Sequence, residues 1–344
     1  MKAPKCNIQL EEVVEAYLDC RKNKRLTHGA LSFEIDLEPN LLSLHYDLVN
    51  GLYTLLPSTC FVVKSPRVRE VWASQFRDRI VHHIIFNRVG DKINRTLIHD
   101  TFACIKNRGT LYGINRLEKH IRSFTQNWKL EKFYLKCDYS NFFSSINKHI
   151  LWDILNPKIK NEPDWLKELF HLVIFNDPTI TPILNSNEIE FNEVPIHKRL
   201  LGGDIGLPIG NLTSQLLANV LLDVIDKYAK HVLKIKHYVR YVDDIIFLGD
   251  SPEILIDQFE KIKEKSVELG VRFNPKKTVC QPVSRGVEFL GQVIHPFFTV
   301  PSPSTTKRIK RSILDEVDIN NYMSYFKQAK NHHKILNDIQ SLTR

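Results

Sequence analysis

At 344 residues and 43% hydrophobic content, the chain can bury one large core or build two or three lobes, which excludes wholesale disorder. A formal net charge of +9 and a pI of about 9.1 point to a polyanionic partner, nucleic acid first, although a merely soluble basic protein shares that balance. Six scattered cysteines with no Cys-x-x-Cys pair exclude a disulfide scaffold and argue against a zinc knuckle.

The thiols therefore read as buried groups in a reducing cytosol. Met1-Lys2-Ala3-Pro4-Lys5 lacks the apolar core of a signal peptide. No run reaches the ~18–20 apolar residues that span a bilayer, so the expectation is a cytoplasmic protein with no membrane partner.

In chain order, Ile8, Leu10, Val13, Val14, Tyr17 and Leu18 recur at helical spacing and predict a helix over 8–28. Its basic end, Arg21 to Arg25, suits either a solvated helix terminus or an RNA contact. A second helix is expected over 37–51, closing at Gly51. Phe61-Val62-Val63-Lys64 and Arg69-Glu70-Val71-Trp72 read as a hairpin around Ser65-Pro66-Arg67. Its cations Lys64, Arg67 and Arg69 suit a triphosphate or simply an exposed turn. An amphipathic helix runs from Phe76 to about Asp91. Its adjacent His82 and His83 cannot share a helical face, so they read as hydrogen-bonding groups and not as a metal pair.

Thr101–Thr110 is a turn-bearing segment where Lys106, Arg108 and Gly109 can approach a nucleic-acid backbone, and a helix follows over 111–125. Phe133–Asp138 is a strand ending on a carboxylate, followed by a helix near 147–155. Residues 157–203 are weakly patterned, an irregular insertion around a helix near 164–175. Gly206–Gln215 is a Gly/Pro turn opening a long, buried helix that runs to about Ala229. Its N-terminus can meet a nucleotide or merely enter the core.

His237–Leu248 organises the whole chain. Two β-like runs flank Asp243-Asp244, so two carboxylates that repel each other sit at a hairpin tip. A divalent cation between the oxygens turns that repulsion into binding, whereas an ordinary Asp-bearing turn needs none. Asp138, a helix N-cap when taken alone, becomes a candidate third ligand beside that pair. A charged helix follows over 252–269, and Phe273–Thr278 and Val287–Gln292 bracket two further short strands. A basic helix begins at Thr305, and another is expected over Tyr322–Ile339.

Taken together these blocks resemble the reverse transcriptases. The blocks are Arg69–Trp72 through Ile80; Thr101–Gly109; Leu135–Phe143; Gly206–Gln215; Tyr241-Val242-Asp243-Asp244; Asn274–Thr278; and Phe289-Leu290-Gly291, in family order over about residues 53–296. The resemblance implies an α+β right-hand polymerase fold. Its parts would be N-terminal helices and fingers over 1–130, a palm with an antiparallel sheet over 131–296, and a short basic helical thumb over 297–344. It implies an RNA template, an RNA–DNA duplex and deoxynucleotide substrates, with two Mg²⁺ ions, or Mn²⁺, in a two-metal nucleotidyl transfer.

By resemblance, Asp138, Asp243 and Asp244 are the metal ligands, helped by the backbone carbonyl of Tyr139, and Phe143 is the gate that excludes a 2′-hydroxyl. That gate argues against an RNA-synthesising relative, and the intact carboxylates argue against a dead RNA-binding scaffold. Lys64 and Arg69 would hold the triphosphate, with Ile209, Gly210 and Gln215 at the nucleotide. Lys277 would lie near the departing pyrophosphate, with Lys276 its equal by chemistry. Arg67, Arg79, Lys106, Arg108, Lys307, Arg308, Lys310 and Arg311 are the expected nucleic-acid contacts.

Ile209-Gly210 and Ser214-Gln215 stand where many members read Gln-Gly and Ser-Pro. The pattern resembles the enzymes of diversity-generating retroelements, which copy RNA with errors at adenines. Antiphage defence reverse transcriptases share these blocks and form the alternative. Cys137-Asp138-Tyr139 and Ile105–Arg108 depart from the usual family pattern. A short thumb further implies a small accessory protein, a structured RNA or an oligomer to extend the grip.

Overall fold

A computed structural model describes residues 3–22, 24–65 and 67–314, with only the backbone described at 310 and 312–314. The elements in order are helices α1 (Leu10–Arg21), α2 (His28–Ile35) and α3 (Leu37–Asn50), strands β1 (Thr59–Val63) and β2 (Arg69–Ala73), α4 (Phe76–Thr96), α5 (Thr110–Phe124) and β3 (Phe133–Asp138). There follow α6 (Phe142–Ser145), α7 (Lys148–Leu155), α8 (Asp164–Phe175), β4 (Ile183–Leu184), α9 (Glu188–Glu193) and α10 (Leu212–Lys227). The last described part holds β5 (Tyr238–Tyr241), β6 (Asp244–Gly249), α11 (Pro252–Glu268), β7 (Val279–Pro282), β8 (Val287–Phe289), β9 (Gln292–His295), β10 (Phe298–Pro301) and α12 (Pro303–Leu314). The α+β expectation holds.

The chain forms two compact units. One comprises the residues through Ile98, Tyr139–Ile225 and Lys265–Arg272; the other comprises His99–Asp138, Asp226–Glu264 and the residues from Phe273.

In the first unit, α1 packs on α3 and α4, with the rings of Tyr17, Phe33 and Phe76 5.3–6.3 Å apart. The helix expected over 8–28 stops at Arg21. Successive cations offer nothing to bury there, and the chain re-enters helix after Thr27 to sink Ala30 and Phe33. That separate α2 is a correction to the sequence reading. Helix α3 buries Leu41, Leu44 and Leu48 along one stripe and closes at Gly51, whose φ of +68° a residue without Cβ adopts most readily. Helix α4 runs past Asp91 to Thr96 because Ile93 and Asn94 are still buried.

Strands β1 and β2 form the expected hairpin, Thr59 opposite Ala73 and Val63 opposite Arg69. The 157–203 segment adds β4 in parallel to the free edge of β1. It is also tied down by Lys148, whose buried ammonium donates to the carbonyls of Asn176 (3.1 Å) and Gly203 (2.7 Å).

In the second unit, β5-β6-β3-β7 form one antiparallel sheet and β10-β9-β8 another. Ile114, Leu117 and Ile121 of α5 share a core with Tyr134, Ile246, Phe289 and Ile294. Five consecutive residues of β6, Ile245–Gly249, are buried, as befits a strand paired on both edges and covered on both faces. Asn274 caps a single 3-10 turn through Lys277, and β7 starts only at Val279. The helix expected over Tyr322–Ile339 lies outside the described residues.

Candidate active site

Strand register builds the site in the second unit. Asp138, last in β3, lies directly opposite Asp244, first in β6, and Tyr241 faces Asp244 from β5. Val242 and Asp243 are left as a two-residue loop. Such a loop follows the sheet twist only if its backbone enters the left-handed region, and Val242 does so, at φ +54°. A β-branched residue there is strained, at a cost of roughly 1–3 kcal/mol.

Carboxylates directly across a strand pair repel one another. Burial, then the charges of Asp138 and Asp244, push the Asp243 carboxyl up to about 7. Oδ2 of Asp138 takes the ammonium of Lys277, while Oδ1 is buried and accepts no hydrogen bond from the described residues. Beneath them Cys137 is sealed in, its thiol pushed well above its ordinary range by burial and by Asp244 and Asp138.

An orphaned buried oxygen among crowded carboxylates is the donor chemistry a hard divalent cation requires. Among the described residues no three His, Cys, Asp or Glu side chains are already closed into a metal cage. The oxygens fit Mg²⁺ in kind, and Lys277 occupies one of them. Of the two lysines left open by the sequence, Lys277 reaches the carboxylates; Lys276 is exposed, and its backbone N–H caps onto Asn274.

The nucleotide candidates of the first unit are tied up differently. Lys64 is ion-paired to Glu193 (3.1 Å) and Glu190 (3.5 Å) of α9. Arg67 and Arg69 are exposed. The carbonyl of Ile209 accepts the backbone N–H of Trp72 at 2.8 Å. A Cβ on Gly210, whose φ is +129°, would stand 2.9 Å from the Trp72 carbonyl oxygen, so this glycine has a packing reason of its own. Gln215 is exposed in the first turn of α10, and Phe143 lies half-buried against Phe142, ring centroids 5.4 Å apart. Tyr139 is buried, its hydroxyl 2.9 Å from that of Ser266.

His82 is the hydrogen-bonding group the sequence implied. Its ring nitrogens lie 2.8 Å from the Thr213 hydroxyl and 3.2 Å from that of Ser74, which donates in turn to Asn211 (2.9 Å). Burial, then the neighbouring His83, Arg79 and Lys24, lower its pKa to about 3, so it is neutral.

The candidate nucleic-acid contacts divide. Arg79 is half-buried and donates to the Ser74 carbonyl, and Arg108 donates to those of His99 and Thr101, so both brace backbone. Lys106, Lys307 and Arg311 are exposed, Arg308 is half-buried, and the side chain of Lys310 lies outside the described residues.

Sequence reasoning passed over Glu190 and Glu193, whose segment carries little pattern, and the fully buried pair Arg240–Asp226. The signal for that pair was present: an arginine inside an otherwise apolar strand demands a buried anion.

Residues 64–294 match the family model described as reverse transcriptase (RNA-dependent DNA polymerase). Among solved structures the chain is similar to apo telomerase from Candida tropicalis truncated from the C-terminal domain. The identity is 12% and the TM-score 0.53, over 77% of this chain and 60% of that one. It is also similar to telomerase from Candida albicans in complex with a TWJ fragment of telomeric RNA. There the identity is 12% and the TM-score 0.50, over 75% of this chain and 49% of that one. The chain thus spans about half to three-fifths of the telomerases it resembles. No curated protein sequence matches it. Among the described residues no helix is long and apolar enough to cross a membrane.

Proposed function

The chain belongs to the reverse transcriptase family, and from that premise we propose that it copies an RNA template into DNA. The observation that carries the reading is the β3/β5–β6 junction, where Asp138, Asp243 and Asp244 crowd together and one buried Asp138 oxygen lacks a donor. Asp138, Asp243 and Asp244, with the carbonyl of Tyr139, would hold two Mg²⁺ ions or Mn²⁺. The chemistry such ions would supply there is acidification of a 3′-hydroxyl and charge neutralisation at a leaving pyrophosphate.

The chain's own groups do the rest. The sheet register fixes Asp138 against Asp244, and Lys277, paired with Asp138, would offer its positive charge to a phosphate if that carboxylate turned to a cation. Lys64 and Arg69 would bind the triphosphate, and Phe143 would exclude a 2′-hydroxyl. Lys106, Lys307, Arg308 and Arg311 would hold the RNA–DNA duplex by its phosphates. A small accessory protein, a structured RNA or a second copy would extend that hold.

The finer reading is a diversity-generating retroelement enzyme. Ile209 would meet the nucleotide's sugar through a methyl surface, and discrimination by shape alone is weaker than discrimination by paired polar groups. The test is to purify the protein with its bound nucleic acid, supply Mg²⁺ and four deoxynucleotides, and sequence template and product. DNA with substitutions concentrated at template adenines supports this reading. Faithful or repetitive DNA made during phage infection would move the chain to defence, and absence of any RNA-templated DNA would overturn the polymerase reading.

A further inference from the structure

Arg240 and Asp226 are both completely buried, and their bonding is lopsided in an informative way. Nε of Arg240 donates to both oxygens of Asp226, at 2.8 and 3.0 Å, and Nη2 donates to Oδ2 at 2.8 Å. The Tyr238 hydroxyl donates to Asp226 as well, at 2.8 Å. With that fork locked, Nη1 is aimed along the strand and donates to the carbonyl of Val242 at 2.9 Å. Val242 is the strained residue of the catalytic turn, immediately before Asp243.

A buried ion pair is a poor way to stabilise a core, since apolar groups of equal volume serve as well or better. What an apolar pair cannot supply is a donor at a fixed place. The backbone N–H of Arg240 is held too, by the carbonyl of Asp100 at 2.9 Å, so the strand carrying the guanidinium has little freedom to slide.

We propose that Arg240 and Asp226 are positioning residues. The guanidinium, oriented by the carboxylate, clamps the Val242 carbonyl and holds the turn left-handed, which sets the Asp243 carboxyl beside Asp138 and Asp244. The assignment rests on the polymerase reading and adds a device to it: the strain of the turn is sustained from behind by a pair that never touches substrate. Lysine is no substitute, because a single ammonium cannot hold Asp226 by a fork and reach Val242 as well.

The prediction is a coupling between the clamp and the strain. Glycine at position 242 adopts the left-handed region freely, so a turn with glycine there no longer needs the clamp. The experiment measures kcat and KM for deoxynucleotide on a primed RNA template with Mg²⁺, for wild type, Arg240→Lys, Val242→Gly and the double variant, with thermal unfolding of each. Arg240→Lys alone should lower kcat about tenfold or more, with KM within about twofold. Added to Val242→Gly, the same change should cost less than about threefold.

Tyr238→Phe, which removes one bond to Asp226, repeats the test more gently should Arg240→Lys not fold. It should lower kcat a few-fold when Val242 is intact and leave it unchanged when combined with Val242→Gly. Equal losses in both backgrounds, or losses that track the melting temperature, overturn the clamp while leaving the polymerase intact. Asp243→Asn separates the two claims: a wild type that makes no DNA and is unaffected by this change overturns the polymerase reading and the clamp with it.

Discussion

The two units handle charge in opposite ways. In the second, Asp138, Asp243 and Asp244 crowd together, Lys277 takes one oxygen of Asp138, and the other, buried, has no donor among the described residues. In the first, three of the groups that resemble nucleotide contacts are already engaged: Lys64 has Glu190 and Glu193, Ile209 has Trp72, and Gly210 is bare because Trp72 lies against it. An uncompensated cluster signals a ligand that the protein does not supply. A compensated one must exchange partners to act, so its residues contribute less per substitution.

The largest expected effect breaks the uncompensated side. Asp243→Asn should reduce RNA-templated synthesis by at least about a hundred- to a thousandfold, since it removes charge from the centre of a phosphoryl-transfer site. It should not destabilise the fold. Removing one of three repelling carboxylates should raise stability by up to about 1 kcal/mol, read as a higher melting temperature. Loss of activity together with a lower melting temperature would mean that the carboxylates serve the fold and not a cation.

Gly210→Ala tests the compensated side. Its Cβ would meet the Trp72 carbonyl and Val71 at 2.9 and 3.2 Å, in a backbone region that L residues rarely adopt. A loss of about 1–3 kcal/mol in urea unfolding is expected. If activity falls while stability holds, the glycine serves the nucleotide and not the contact with β2.

What was legible in the sequence divides differently, by whether a signal is local. The strand ending on Asp138, the Tyr241–Asp244 hairpin and the helix opening near Leu212 are local signals: β-branched runs, a two-carboxylate tip and a Gly-Pro entry, each complete within a dozen residues. The partners of Lys64 and the reason for Gly210 are contacts between distant segments, which periodicity does not encode, whereas Arg240 inside an apolar strand announced a buried anion without saying which one. Helix α2 was missed for another reason. It is short, and its exposed Leu31 and Ile35 blur the apolar stripe that Ala30 and Phe33 make.

Proton linkage offers a third probe, confined to the first unit. Neutral His82 holds Thr213 and Ser74 in place. Its folded pKa of about 3 lies below the ordinary 6.5, so the unfolded chain binds a proton that the folded one refuses. Stability from this group is complete above pH 6.5 and is lost as pH falls towards 3, with a slope of at most about 1.4 kcal/mol per pH unit. Asp78, raised by burial to about 6, acts with the opposite sign between pH 3.8 and 6, its contribution fading as pH rises. Comparing wild type with His82→Gln at pH 7 and pH 5.5 isolates the histidine. The variant should lose less stability on acidification, and identical slopes would show that His82 titrates normally.

The smallest effect is the most diagnostic of partner exchange. If Lys64 binds the triphosphate, the incoming nucleotide must draw it from Glu190 and Glu193, and those acids compete with substrate. Lys64 is half-exposed, with a side-chain accessibility of 52%, so the competition is weak and screened by salt. Glu190→Gln/Glu193→Gln should therefore lower the deoxynucleotide KM by about two- to fivefold at low ionic strength, leave kcat in place and lose its advantage at high salt. Lys64→Gln should raise KM, and the glutamate changes should then have no effect beside it. A KM that moves with the glutamates even when Lys64 is gone would mean that α9 acts on the nucleotide by its own charge. The compensation seen at the β1–β2 hairpin would then be incidental to substrate binding.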